Sequence, residues 1–429
     1  MADLLQVLKE NRNFRYTWAA QVVSEIGDHF NNIAVFGLAV QHPNSGLVVT
    51  GVLLARAIPA ILAGPLAGVL LDRMDRKRIM IASDLVRAAV ALGFIATAGS
   101  GSAAMLYLLS ALLMMASPFF TSGRASILPV ITTSEQLHAA NSLTQTTQWT
   151  TLAVGAMLGG ASVMQFGFHW AFFLNAMSFL FSAWCIWQLQ ISGGSFRARP
   201  AAHAKSPARP LHEYSEGLRY MRGVPLLLGI AVVNMGWASG GGAAQILFSL
   251  FGENVFHKGA AGIGTLWGFG GMGLVVGGVI AHRLGPRLSF EAYKRAVAIC
   301  YLIHGATYIV FSQMQSFTLA LLFMGISRTA VGVTSVLNFS QLLRHVSNEY
   351  RGRVFSTLET LTWGVMMLSM LAAGIASQKF SPRTIGVWSG ALSSMTAIYW
   401  LSLDLSGRLP KPPEETAGPE EVQVHESTV

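Results

Sequence analysis

This sequence is short of charge. Only 11% of its 429 residues are Asp, Glu, Lys or Arg, less than half of the roughly one quarter that keeps a soluble protein in water. With 52% hydrophobic residues and a mean hydropathy of +0.49, lipid must solvate most of the surface. Cysteine is nearly absent. Cys185 and Cys300 each lie inside an apolar run, which reads as core packing and leaves no disulfide or metal framework. Zinc-protease, serine-hydrolase and P-loop patterns are missing, so the chain reads as a non-enzyme without a cofactor or metal. Gly268-Phe-Gly270-Gly271-Met-Gly273 formally matches a dinucleotide fingerprint, but it follows no strand and sits in an apolar run; close helix packing explains it better. The net charge of +9 is spread over short segments, with no basic patch interleaved with aromatics, so nucleic acid is not a partner. No cleavable signal opens the chain: the polar stretch Met1 to Arg15 leads into a polar-striped helix.

What is present is a series of apolar runs, each near the roughly 20 residues that span a bilayer. They fall at roughly 16–39, 47–71, 79–98, 103–127, 142–165 and 169–190, and again at 224–251, 260–282, 296–312, 317–341, 354–378 and 384–404. The pattern predicts an all-α membrane protein of twelve transmembrane helices. Residues 1–191 form an N-terminal six-helix bundle, 192–222 a cytoplasmic linker rich in Ser, Pro, Ala and Arg, and 223–405 a C-terminal six-helix bundle. Residues 406–429, with five glutamates and several prolines, form a disordered acidic tail. With both termini in the cytoplasm, 22 of the 29 Lys and Arg residues fall on the cytoplasmic side. Only Lys258, Lys379 and Arg383 fall on the other, as the positive-inside rule requires. The halves echo each other: Gly68-Val-Leu-Leu-Asp72-Arg73 ends span 2 and Gly278-Val-Ile-Ala-His282-Arg283 ends span 8.

Span 1 carries an unusual polar face. Gln21, Glu25, Asp28 and Asn32 are spaced 4, 3 and 4, which stacks them on one side of a helix. An ionised carboxylate near mid-bilayer costs at least ~2.5 kcal/mol, and such groups usually face a cavity. Two carboxylates one turn apart disfavour simultaneous ionisation, so the pair suits proton binding and release. For Glu25 a static pairing with an arginine elsewhere in the bundle is an equal reading. Trp149, Trp237, Trp267 and Trp363 offer an aromatic cavity lining, although Trp also belongs in membrane cores and belts.

Gly64-Pro-Leu-Ala-Gly68-Val-Leu-Leu-Asp72-Arg73-Met-Asp75-Arg76-Lys77-Arg78 resembles the signature loop of the major facilitator superfamily. The strings from Ala55 to Gly68, Met80 to Ala88, Ser117 to Pro129 and Glu349 to Leu358 resemble its bacterial efflux branch of macrolide and siderophore exporters. That resemblance implies two pseudo-symmetric bundles, with Gly68, Asp72, Arg73 and Arg76 forming a latch for the outward-facing state. His282 replaces the acid in the second copy, which makes the latch one-sided. The resemblance also puts spans 1, 4, 7 and 10 around a central cavity, which nominates Arg328 of span 10 as the charge opposing Asp28 or as a substrate-anion ligand. Arg124 in span 4 is a candidate for gating or binding. Asp84 and Arg87 are gating candidates that pair with each other or with the Asp72 loop. Arg56 is expected to pack or to snorkel, and Glu359 to pair with Arg351 or Arg353. Gly155 to Gly160 resembles the antiporter signature, with Ala156 where a proline is usual.

The functional expectation is a monomeric inner-membrane exporter of a bulky amphipathic drug or siderophore, working by proton antiport. Its partners are a small-molecule or lipid-like substrate, protons and membrane lipids. A lysophospholipid flippase of the same fold and a non-transporting receptor or assembly factor docked through the acidic tail are the alternatives.

Overall fold

Backbone N–H and C=O groups surrounded by lipid must bond within their own segment, and a helix does this. The structure, a computed structural model describing residues 2–190, 196 and 210–411, contains helices and no strand among those residues. The helices are α1 (Ala2–Glu10), α2 (Arg12–Val40), α3 (Ser45–Arg73), α4 (Arg76–Ser100), α5 (Ala103–Ile131), α6 (Ser134–Phe166) and α7 (Phe168–Trp187) in the first half. After the short α8 (Pro210–Gly223) come α9 (Pro225–Leu250), α10 (Gly259–Leu284), α11 (Phe290–Gln313), α12 (Phe317–His345), α13 (Asn348–Ala376) and α14 (Pro382–Leu405). All except α1 and α8 are long enough to span a bilayer. Nine are also apolar enough to do so by composition, whereas α2, α6 and α14 are more polar.

The starts of several helices are written in the sequence. Asn11, Asp75, Ser102, Thr133, Ser289 and Ser381 each accept a hydrogen bond from a backbone N–H in the first turn, which satisfies an orphan donor of the helix end. Gly167, at φ +81°, is the single residue between α6 and α7.

α2 packs on α6 and α7, α4 on α5 and α7, and α3 on α5, which makes one six-helix group. α9 packs on α13 and α14, while α11 bridges α14 and α12, and α12 lies on α10; these make the second. Two seams join the groups, α6 with α10 and α3 with α13. Along the first the backbones touch: a Cβ added to Gly160 would lie 2.7 Å from the Ala260 carbonyl oxygen and 3.1 Å from Gly264 Cα. Small residues permit this closeness in membranes. The same seam continues to Trp149, which lies against Gly278.

The second seam is closed at one end only. There Asn254 Nδ2 donates to Ser45 Oγ at 3.3 Å and Thr50 Oγ1 to the Met370 carbonyl at 3.4 Å. Towards the end where α3 stops at Arg73, the basic end, Gly64 and Gly68 on α3 and Gly352 and Gly364 on α13 all have open space where a Cβ would be.

Part of the expected linker is a helix. α8 is fastened to α13 by the Glu216–Arg353 ion pair at 3.2 Å and by the stacked rings of Tyr220 and Tyr350, 4.7 Å apart. The rest of the linker's 192–209 apart from Phe196, and the tail beyond Lys411, lie outside the described residues.

Candidate functional site

The open seam leads into a cavity of about 740 Å³ between α3, α5, α9 and α13. Its walls follow from helical spacing. Leu53, Arg56, Ala57, Ala60, Ile61 and Gly64 form one stripe on α3; Ser356, Glu359, Thr360, Trp363, Gly364, Met367 and Met370 form the facing stripe on α13. Met114 of α5 and Gln245 of α9 complete it. Farther from the basic end, a smaller space of about 180 Å³ shares Leu53, Arg56 and Gln245 and adds His29, Asn32, Phe36 and Trp267 among its walls. Arg56 stands where the two spaces meet.

This corrects the sequence reading of Arg56, which neither snorkels nor merely packs. Its Nη2 donates to Asn32 Oδ1, and its Nη1 is buried without a hydrogen-bond partner. Asp28, one turn before Asn32, likewise has a buried oxygen, Oδ1, without a partner. The Asp28 charge is felt by Arg87 and Arg56, and it is opposed by Glu25 and Asp84.

The polar face of α2 therefore divides into two parts. Asn32 belongs with Arg56, and Asp28, one turn before it, keeps an unpartnered oxygen, whereas Gln21 and Glu25 are spent on neighbouring helices. Gln21 Nε2 donates to Glu25 Oε1 at 2.9 Å and to the Thr144 carbonyl at 3.0 Å. Thr151 Oγ1 donates to Glu25 Oε2 at 2.7 Å, and Arg124 Nη1 lies 3.6 Å from Oε1. The arginine beside Glu25 is Arg124 of α5.

Arg328 is not brought to the α2 carboxylates. It is buried in the second group, its guanidinium 5.0 Å from the Phe248 ring centre and its stem against Gly270 and Gly273. The cations that do reach α2 are Arg124, Arg56 and Arg87. Asp84 and Arg87 pair with each other rather than with the Asp72 loop, both essentially without solvent exposure. Ser182 Oγ donates to Asp84 Oδ2 at 2.7 Å, and the Arg87 guanidinium lies between the rings of Phe120 and Phe179, 4.5 and 4.3 Å from their centres.

At the basic end, Asp72 and Arg73 are exposed, and Asp72 has no ion pair among the described residues. Arg76 Nη1 donates to the Ser126 carbonyl of α5 at 2.8 Å. The pairing expected for Glu359 is not made either. Arg353 is taken by Glu216, and Arg351 donates to the Leu343 carbonyl at 3.3 Å. Glu359 is exposed to the cavity instead. Of the four tryptophans, Trp363 and Trp267 line the two spaces, Trp149 packs in the closed seam, and Trp237 lies beside Gly241.

Arg56 had a signal in the sequence. The turn at 41–44 folds α2 and α3 into a hairpin, which brings residues 32 and 56 to similar depth. Glu359 had a weaker one, its 4-residue spacing from Trp363.

Comparison with known proteins agrees with this architecture. The chain is 23% identical over 410 residues to macrolide efflux protein A of Streptococcus pyogenes, covering 91% of this chain and 94% of that protein. It is 22% identical over 373 residues to a putative bacilysin exporter, BacE, of Bacillus subtilis, covering 85% and 89%. The crystal structure of the nucleoside transporter NupG superposes with a TM-score of 0.70 at 10% identity, over 90% of this chain and 99% of that one, which speaks for the fold. The sequence pattern of the Major Facilitator Superfamily matches residues 16–368. With twelve spanning-length helices in two groups of six around a shared cavity, this chain belongs to the Major Facilitator Superfamily of membrane transporters.

Proposed function

We propose that the chain exports a bulky amphipathic small molecule from the cytoplasm by proton antiport, its two helix groups rocking about a central site. One observation carries the reading: Arg56 Nη1 is buried and unpartnered in the wall of a cavity of drug-sized volume, and Asp28 Oδ1, one turn before Arg56's partner Asn32, is buried and unpartnered as well. A buried polar atom without a partner costs about 1–3 kcal/mol, and a proton or a substrate group relieves that cost. The efflux proteins among the relatives support the outward direction. The positive-inside count supports a bacterial inner membrane with both termini, and the open end, in the cytoplasm. In this reading the unpaired Asp72 is the latch in its released state.

The test is Asp28→Asn in proteoliposomes under an imposed pH gradient. The variant inserts and folds but loses gradient-driven transport; full coupled transport in Asp28→Asn would refute the proposal.

A second reading, inward flipping of lysophospholipid, draws on one feature. The cavity wall includes Ile61, half exposed, next to Leu62 and Leu66, both above 60% exposed, so the cavity borders the lipid-facing side of α3. Uptake of lysophospholipid without any pH gradient would favour it.

A further inference from the structure

Glu359 is a carboxylate with nothing to hold. It projects from α13, eleven residues inside the helix start, and makes no hydrogen bond or ion pair among the described residues. The two arginines nearest in sequence, Arg351 and Arg353, are engaged elsewhere. A charge inside a membrane protein is costly and usually marks a pathway or a ligand site. Among the described residues Glu359 is also the one acidic residue in the wall of the 740 Å³ cavity. A second space of about 270 Å³ opens on its other side, walled by Asn234, Phe339, Phe355 and again Glu359 and Trp363. Glu359 and Trp363, one turn apart, thus form the ridge between the two spaces.

Carboxylate and indole together define a ligand chemistry. A cation gains from the charge of the first and from the π face of the second, and the aromatic contribution is largest where water is excluded. Most of the remaining wall is apolar or sulfur-bearing, with Met114, Met367, Met370 and Leu53, and the hydroxyls of Ser356 and Thr360 stand on the same stripe as Glu359. Such walls fit an uncharged, adaptable body. The far end carries the opposite sign: Arg56, with one unpartnered N–H group, beside the amide of Gln245. A cation is repelled there, whereas a carbonyl or ether oxygen is welcomed as an acceptor.

We propose that Glu359 and Trp363 form the headgroup subsite of this cavity. The substrate class is then an amphipathic amine, its cation at Glu359 towards the basic end and its acceptor-bearing body reaching Arg56. The proposal deepens the export reading and takes from it only that this cavity is where substrate sits.

The experiment is binding to purified protein in nanodiscs, followed by tryptophan quenching and by calorimetry. The probes are tetraphenylphosphonium, a permanent cation, and triphenylphosphine oxide, a neutral acceptor of similar shape. Glu359→Gln, at an exposed position without contacts to lose, weakens tetraphenylphosphonium about tenfold or more, the range of one lost charge–charge contact while Trp363 stays in place. The same variant leaves the phosphine oxide unchanged. Arg56→Gln does the reverse, weakening the neutral probe and sparing the cation. Equal affinities of wild type and Glu359→Gln for tetraphenylphosphonium, or equal losses for both probes, overturn the subsite. So does a wild-type protein that binds neither probe, even one that exports in proteoliposomes. Selective binding without any transport leaves the subsite standing and refutes export.

Discussion

The Asp84–Arg87 pair separates a structural from a gating role with one set of variants. Both residues are buried among α4, α5 and α7: Ser182 bonds the carboxylate, and Phe120 and Phe179 flank the guanidinium. Asp84→Ala removes the counter-charge and strands a buried cation, which costs about 3–5 kcal/mol. The two ring contacts, each worth up to ~2 kcal/mol when desolvated, remain and soften the loss. Replacing both partners with apolar residues of similar volume, Asp84→Leu with Arg87→Met, leaves no charge to strand, and such exchanges are neutral or stabilising. The single variant should therefore melt several degrees lower and the double variant close to wild type. A thiol-reactive dye gives the readout in a Cys300→Ser background, because Cys300 is partly exposed whereas Cys185 on α7 is fully buried and reacts only when the bundle opens. Transport by the double variant decides the role. A structural pin predicts that export survives once stability returns. A double variant as stable as wild type but inactive would refute this and return the pair to the gating machinery.

The two seams make contrasting predictions for one substitution. Gly264→Leu forces a side chain into the backbone of α6 at Gly160, and overpacking of this kind costs at least ~1–3 kcal/mol; it should lower thermal stability or abolish folding. Gly68→Leu meets open space and should fold normally while slowing transport, if α3 and α13 close on each other in the cycle; size-exclusion profiles and uptake rates check both. At the closed end, cysteines at Ser45 and Asn254, in a background lacking Cys185 and Cys300, should join through a disulfide or a short thiol cross-linker and stop transport until reduced. Undiminished transport by fully cross-linked protein would refute any opening at that end.

The helices were legible in the sequence because lipid imposes length and apolarity, and each expected span corresponds to one helix. Their ends were less so. α6 begins at Ser134, eight residues before the apolar run, since hydropathy reports bilayer thickness and not where hydrogen bonding stops. The Thr133 cap marked the true start. The polar helix α2 stands because neighbours, more than lipid, cover it.

The site was half legible. Spacing placed Gln21, Glu25, Asp28 and Asn32 together, but a shared face does not say which neighbour it meets: Gln21 and Glu25 met α5 and α6, Asn32 met Arg56, and Asp28 kept an unpartnered oxygen. Arg56 and Glu359 were undervalued for the same reason. Composition cannot tell a charge that snorkels or pairs locally from one turned into a cavity; only the rotation of α3 and α13 about their axes does that.

The unequal seams also bear on which parts of this molecule can change over time. A backbone-to-backbone joint such as the one through Gly160 and Gly264 has no side chains to trade, so nearly every substitution there is visible to selection. The α3–α13 cleft is lined by side chains with room around them and accepts replacement freely. In the rocking proposed above, the tight joint is the pivot and the cleft the side that opens. New specificity can thus be tried on one side of the protein while its axle stays fixed on the other.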